Sequence, residues 1–122
     1  MAAVGAAPSI SLRYSFDLEN WQDFVPGTTT VPLETTGSRV WLKAADGGNT
    51  RFASSNSIYW KFSLTGKIAA YGSIMSLLDP NDELRELNDA SNSNCFGNLF
   101  HDCAALTLPP DLPATTISKN CY

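Results

Sequence analysis

Apolar and polar residues alternate through the first two thirds of the chain. In "ISLRYSF" (10–16), every second residue is apolar or aromatic, starting with Ile10 and ending with Phe16. This period of two is typical of a half-buried strand. Similar strand patterns occur at 21–24, 26–33, 39–44, 58–65 and 67–75. Turn residues such as "ADGGN" (45–49) separate them at short spacing. The pattern predicts a mainly β fold, with a small antiparallel β-sandwich or barrel over residues 1–78.

The pattern changes after residue 78. Residues 79–93 are polar and acidic, and we interpret them as a solvated connector, with one or two helical turns as the alternative. From Asn94 the apolar residues lie three and four apart, so "CFGNLFHDCAAL" (95–106) predicts a short amphipathic helix. "TLPPDLPATTI" (107–117) contains three prolines and predicts an extended ribbon.

A short motif returns near the end of the chain. Asn94-Cys95-Phe96 is followed 26 positions later by Asn120-Cys121-Tyr122. A helix followed by a ribbon, repeated at this interval, falls within the lengths of leucine-rich repeats. Because one such unit buries little surface alone, it needs a stacked neighbour.

Residues 94–122 resemble one unit of the BspA-like leucine-rich repeats of bacterial surface proteins, followed by the start of a second. The match consists of Cys95-Phe96, Leu99-Phe100, Cys103, Leu106, the run Pro110-Asp111-Leu112-Pro113-Ala114-Thr115-Thr116, and Ile117. Residues 59–79 are similar to the non-repeat domain that precedes such arrays, and residues 12–24 to the strand-turn-strand opening of that domain. The positions expected in the repeat core are Cys95, Phe96, Leu99, Phe100, Cys103, Leu106, Leu112, Ile117 and Cys121.

The resemblance implies a surface or adhesion-type module that binds a protein or glycan on a host or neighbouring cell. It also implies that the β-domain caps the solenoid, whose exposed apolar end needs a cover. We further expect additional repeats beyond Tyr122, with the last few residues loosely packed in their absence. Localisation is then extracellular or at the cell surface. No signal peptide is recognisable in "MAAVGAAPSI", which leaves cytoplasmic location, a removed signal or another export route open.

Charge and motif content narrow the class of function. The formal net charge is −4 and no Lys/Arg run occurs, which argues against nucleic-acid binding. No apolar run is long enough to span a membrane. No nucleophile, phosphate-loop or zinc-protease motif is present, and His101 is the single histidine, so we predict no enzyme and no cofactor. The spacing of Cys95 and Cys103 disfavours a metal site.

The cysteines leave one alternative open. Cys95 and Cys121 occupy equivalent points of successive units, where neighbouring chain segments lie about 5 Å apart. A disulfide between them is conceivable there, but we expect a ladder of reduced, buried thiols.

Two other functions remain as alternatives. One is a carbohydrate-binding β-module that stacks sugars on aromatic side chains, for which the candidates are Trp21, Trp41, Trp60 and Tyr59. The competing interpretation is that these rings fill the core. The other is a tail or fibre component of a phage virion.

Overall fold

The described residues form two small antiparallel sheets and one parallel pair of strands. The computed structural model describes residues 1–87 and 93–121. The strands are β1 Ala2–Val4, β2 Leu12–Ser15, β3 Gln22–Phe24, β4 Trp41–Ala44, β5 Ala53–Ser55, β6 Ile58–Lys61, β7 Ile68–Ala69 and β8 Leu106–Leu108, with a 3₁₀ helix at Ile74–Leu77. One sheet has the order β1-β6-β5 and the other β3-β2-β4, both antiparallel, whereas β7 and β8 are parallel. No helix in these two ranges is long and apolar enough to cross a membrane.

The prediction of a mainly β fold is confirmed, although several strand positions differ. β2, β3, β4 and β6 lie inside predicted strands. The run 26–33 forms no strand, and 67–75 yields only the two residues of β7 before the 3₁₀ helix begins. β1 and β5 were not predicted, because "AAV" and "ASS" lack the large alternating apolar residues that mark a strand.

The predicted inward face of the strand at 10–16 is wrong at its last two positions. Ser15 is fully buried, while Phe16 is 48% exposed. Ser15 ends the strand because its hydroxyl accepts the N–H groups of Asp17 and Leu18 at 3.2 and 2.9 Å. This local turn overrides the alternation and directs Phe16 to the surface.

The predicted helix at 95–106 is also wrong. Residues 93–105, here called the turn segment, form consecutive turns joined by hydrogen bonds between residues three apart. Asn94, Asn98 and Asp102 all have φ near +60°. Asn and Asp tolerate this left-handed conformation better than other side chains, and one such residue per turn prevents an α-helix.

Two stretches of the chain, here called courses, run side by side in parallel. β7 pairs with β8, Ser73 forms a bridge with Asp111, and Glu86 forms one with Thr116. Residues 106–117, here called the proline ribbon, therefore follow the course of residues 68–87. The alignment continues further along the chain, where Asn94 N donates to Lys119 O and Phe96 N donates to Cys121 O, both at 2.9 Å.

One hydrophobic core joins these parts. Its buried members come from the β3-β2-β4 sheet, the residue before β5, the 3₁₀ helix, the turn segment and the stretch after the ribbon, and they include Leu12, Phe52, Met75, Leu99 and Cys121.

The acidic connector also contributes to this core, contrary to its interpretation as solvated. Leu87 is fully buried, and residues 79–87 contain no helical turn. Residues 88–92 of the predicted connector lie outside the described residues.

Candidate functional site

The turn segment packs directly on the N-terminal strands. The ring of Phe96 stacks on Phe52 with centroids 6.1 Å apart, and Phe100 stacks on Phe62 at 5.3 Å. Backbone bonds run alongside, since Phe52 N donates to Cys95 O at 2.6 Å and Phe62 N donates to Leu99 O at 2.8 Å. The N-terminal strands thus cover one side of the turn segment.

An apolar groove opens beside the turn segment. It has a volume of about 330 Å³ and lies between the turn segment and the proline ribbon. Ile74 also lines it. Its remaining walls are Phe96, Asn98, Leu99, Phe100, His101, Pro109, Pro110 and Leu112. A groove with mainly apolar walls suits another apolar chain segment better than a charged ligand.

The proline ribbon presents large apolar side chains beside this groove. Leu108, Leu112 and Ile117 are 44%, 53% and 57% exposed. β8 pairs with β7 on one side, and within the described ranges no strand pairs with its other edge. Leu112 and Ile117 are therefore not covered by any described residue, and their place in the repeat core stays a prediction for a stack with a further unit.

The other predicted core positions divide into two groups. Cys95, Phe96, Leu99 and Cys121 are at most 4% exposed, whereas Phe100, Cys103 and Leu106 are half-buried. The burial of Cys121 contradicts the expectation that the last few residues are loosely packed. Its side chain lies in the core, and its carbonyl oxygen accepts the Phe96 N–H. Tyr122, the last residue of the predicted second unit, lies outside the described residues.

Cys95 and Cys121 form a buried pair on neighbouring courses. All three cysteines carry thiols. Burial raises the pKa of the Cys95 thiol, and its hydrogen bond to the Cys121 sulfur raises it further. Burial alone would raise the pKa of Cys121, but hydrogen bonds from Ser118, whose Oγ lies 3.1 Å from the sulfur, and from Cys95 outweigh burial and lower it. The repeat motif thus places two thiols within hydrogen-bonding reach.

A polar cluster lies at the rim of the groove. The Asp102 carboxylate accepts hydrogen bonds from Lys61 Nζ at 3.0 Å and from His101 Nδ1 at 2.9 Å. The Lys61 hydrogen bond lowers the pKa of Asp102, and the same contact raises the pKa of Lys61. These partly exposed groups connect β6 to the turn segment. The described residues hold no set of three His, Cys, Asp or Glu side chains that could bind a metal ion.

The four candidate stacking aromatics are not gathered at one site. Tyr59 is only 8% exposed and packs against His101, so its proposed role as a sugar platform is wrong. Trp60 is half-buried against the core, and its indole N–H donates to Pro8 O at 2.7 Å. Lys43 Nζ lies 4.3 Å from the centre of the Trp21 ring and covers that face, and Trp41 is half-buried on β4.

Sequence reasoning missed the partners of the turn segment. Phe52 lies between the predicted strands at 39–44 and 58–65, and nothing in its spacing points to Phe96. A usable signal was the recurrence of Asn or Asp at 94, 98 and 102, because these residues favour turns over helix interiors.

Comparison with known proteins returned no family model, no curated protein and no solved structure that matches this chain.

Proposed function

We propose that this chain is a non-catalytic interaction module of the surface or adhesion type. In this proposal the N-terminal strands cap a stack of parallel chain courses, and the stack belongs to a leucine-rich repeat array related to the BspA-like proteins. The open face is formed by the groove and the outer edge of the proline ribbon. Its occupant is a further course of the same 26-residue design.

The observation that carries this proposal is the parallel alignment of residues 68–87 and 94–96 with residues 106–121. Each course offers one edge to its neighbour, as in repeat stacks in which units contact only adjacent units. Phe52 and Phe62 cover part of the turn segment, whereas the groove beside it is open. A cap on one side and an apolar face on the other is the arrangement that a terminal repeat requires.

The conformation of the motif supports the same proposal. Asn94 and Asn120 have φ values of 59° and 55°, and the cysteine after each one is buried. The asparagine of the motif is therefore left-handed at both positions, and the cysteine that follows it is buried at both. A further course that begins at Asn120 would place its turn segment over the groove.

An extended chain tests this proposal. A second copy of residues 97–122 is appended after Tyr122, so that Asn120 to Tyr122 begin a complete turn segment. We expect the melting temperature to rise by about 5 °C or more, because burying further apolar surface adds stability. We also expect the amides around Leu112 and Ile117 to become protected from hydrogen exchange.

The matched control carries aspartate at the appended positions that correspond to Leu99 and Phe100, which prevents the added turn segment from packing. This control should melt like the original chain. If both extended chains melt at the original temperature and the appended amides exchange at random-coil rates, the open face does not receive a further course.

A further inference from the structure

Cys95 and Cys121 lie on neighbouring courses in a position to form a disulfide bond. We propose that Cys95 and Cys121 are converted to a disulfide by small-molecule disulfides of the oxidised-glutathione class. This bond would lock two neighbouring chain courses together. The inference is independent of the proposed function, because it depends only on contacts within the described residues.

The backbone holds the two residues at bridging distance. Asn94 N donates to Lys119 O and Phe96 N donates to Cys121 O, each at 2.9 Å, so Cys95 lies between two rungs of a parallel ladder. Neighbouring strands lie about 4.8 Å apart, and disulfides span Cα separations of about 4.4 to 6.8 Å. The Cys95 sulfur also donates to Cys121 O at 3.7 Å, so its side chain already points toward the other course.

The surroundings of the pair favour Cys121 as the attacking thiol. Ser118 Oγ lies 3.1 Å from its sulfur, and a hydroxyl at this distance can stabilise a thiolate. Cys95 is fully buried, so we assign it the later step, after Cys121 has reacted. Cys103 lies elsewhere, where its thiol donates to Phe62 O at 3.3 Å.

The exchange proceeds in two balanced steps. The Cys121 thiolate attacks one sulfur of the small disulfide, forms a mixed disulfide and releases one small thiolate. Cys95 then gives up its proton and attacks the Cys121 sulfur, which releases the second small thiol. The protein loses two hydrogen atoms, and the small disulfide gains them. Because both sulfurs are buried, the first step requires residues 119–121 to lift briefly from residues 94–96.

The test uses the full chain in glutathione buffers of fixed ratio, followed by alkylation in denaturant and mass spectrometry. In oxidised buffer we expect a mass loss of 2 Da, alkylation of Cys103 alone, and a peptide that links Cys95 to Cys121. The oxidised chain should melt about 5–10 °C above the reduced chain, since a cross-link over a loop of this length restricts the unfolded state.

Three single variants identify which two cysteines form the bond. Cys103→Ser should oxidise and gain stability like the original chain. Cys95→Ser and Cys121→Ser should show neither the mass loss nor the gain. Three alkylated cysteines in oxidised buffer, a bond that involves Cys103, or a persistent glutathione adduct on Cys121 would each overturn the proposal. A soluble chain that oxidises correctly but fails to accept an appended course would contradict the proposed function alone.

Discussion

Short polar side chains fix the turns of this molecule one residue at a time. Asp17 is the densest example. Its carboxylate accepts hydrogen bonds from the side chain and backbone N–H of Asn20, from the N–H of Glu19 and from the Ser15 hydroxyl. The Asn20 side-chain bond is the largest cause that holds the pKa of Asp17 far below its usual range. The loop between β2 and β3 is therefore organised around one ionised group.

The depressed pKa of Asp17 predicts a dependence of stability on acid. A carboxylate whose folded pKa lies below its unfolded pKa stabilises the fold above the unfolded value, and this contribution is lost as pH falls toward the folded pKa. The Asp17→Asn variant should therefore show a shallower loss of unfolding free energy between about pH 5 and pH 2. Urea denaturation at several pH values measures this slope.

Glu19→Gln is the matched control, because its backbone rather than its carboxylate takes part in this turn. It should retain the slope of the original chain. Identical slopes for Asp17→Asn and the original chain would show that the carboxylate does not stabilise the loop.

The turn segment has the spacing of apolar residues that is expected of an α-helix, although it is a series of turns. Turn bonds join Asn94 to Gly97, Phe96 to Leu99, Asn98 to His101 and Phe100 to Cys103, at 3.0 to 3.1 Å. A left-handed residue recurs at every fourth position, so Cys95, Leu99 and Cys103 return to a similar orientation. An α-helix would bring these positions to one face as well.

Substitution of Asn98 distinguishes a series of turns from an α-helix, because the two structures predict opposite orders of stability for the alanine and glycine variants. Asn98→Ala should lower the unfolding free energy by about 1–2 kcal/mol, because alanine is strained at positive φ. Asn98→Gly should cost much less, since glycine adopts this conformation readily.

Both variants remove the 3.4 Å hydrogen bond from the Asn98 amide to Asn56 O. The difference between their unfolding free energies therefore reports on the backbone conformation at residue 98. In a helix the order would reverse, with alanine favoured over glycine by about 1 kcal/mol. Chemical denaturation of the two variants decides the matter, and an alanine variant that is the more stable would contradict the turn assignment.

The sequence predicted the elements that depend on neighbouring residues. Large alternating side chains located β2, β4 and β6, and three prolines located the extended ribbon. The recurrence of Asn-Cys-aromatic marked two positions that share one backbone conformation.

Elements that depend on distant residues could not be predicted. β1 contains only Ala2, Ala3 and Val4 and exists because it pairs with β6, more than fifty residues away. The bridges from Ser73 to Asp111 and from Glu86 to Thr116 span unequal separations, so no single interval in the sequence reveals them. The turn segment combines both kinds of information, because its apolar residues were recognised but its cover by Phe52 and Phe62 was not.

At the scale of the whole molecule, the boundaries drawn at residues 78 and 93 do not divide the core. Leu12, Leu78 and Leu99 belong to one buried cluster, although they lie in two of the predicted regions. Asn49 further links separate parts, since its amide donates to Ser11 O at 3.0 Å and to Leu77 O at 2.9 Å. We therefore expect the strands and the turn segment to unfold together.

Truncation of Phe52 tests this coupling. Phe52→Ala should lower the unfolding free energy by about 3–5 kcal/mol, because a fully buried ring is replaced by a cavity. Tryptophan fluorescence reports on the strands, and the alkylation rate of Cys95 reports on the turn segment. Both probes should give the same unfolding midpoint, before and after the substitution.

Phe16→Ala, at an exposed position, is the control and should cost considerably less. Separate midpoints for the two probes would show that the turn segment unfolds independently of the strands.

The left-handed residues of the turn segment also limit how its length can vary. Side-chain orientation repeats after each turn of four residues, and each turn begins with a left-handed Asn or Asp. A deletion of four residues removes one whole turn and leaves Cys95 and Cys103 facing inward, whereas a deletion of three rotates every later side chain. Viable changes of length in this segment should therefore come in steps of four, which makes the turn, rather than the residue, its unit of variation.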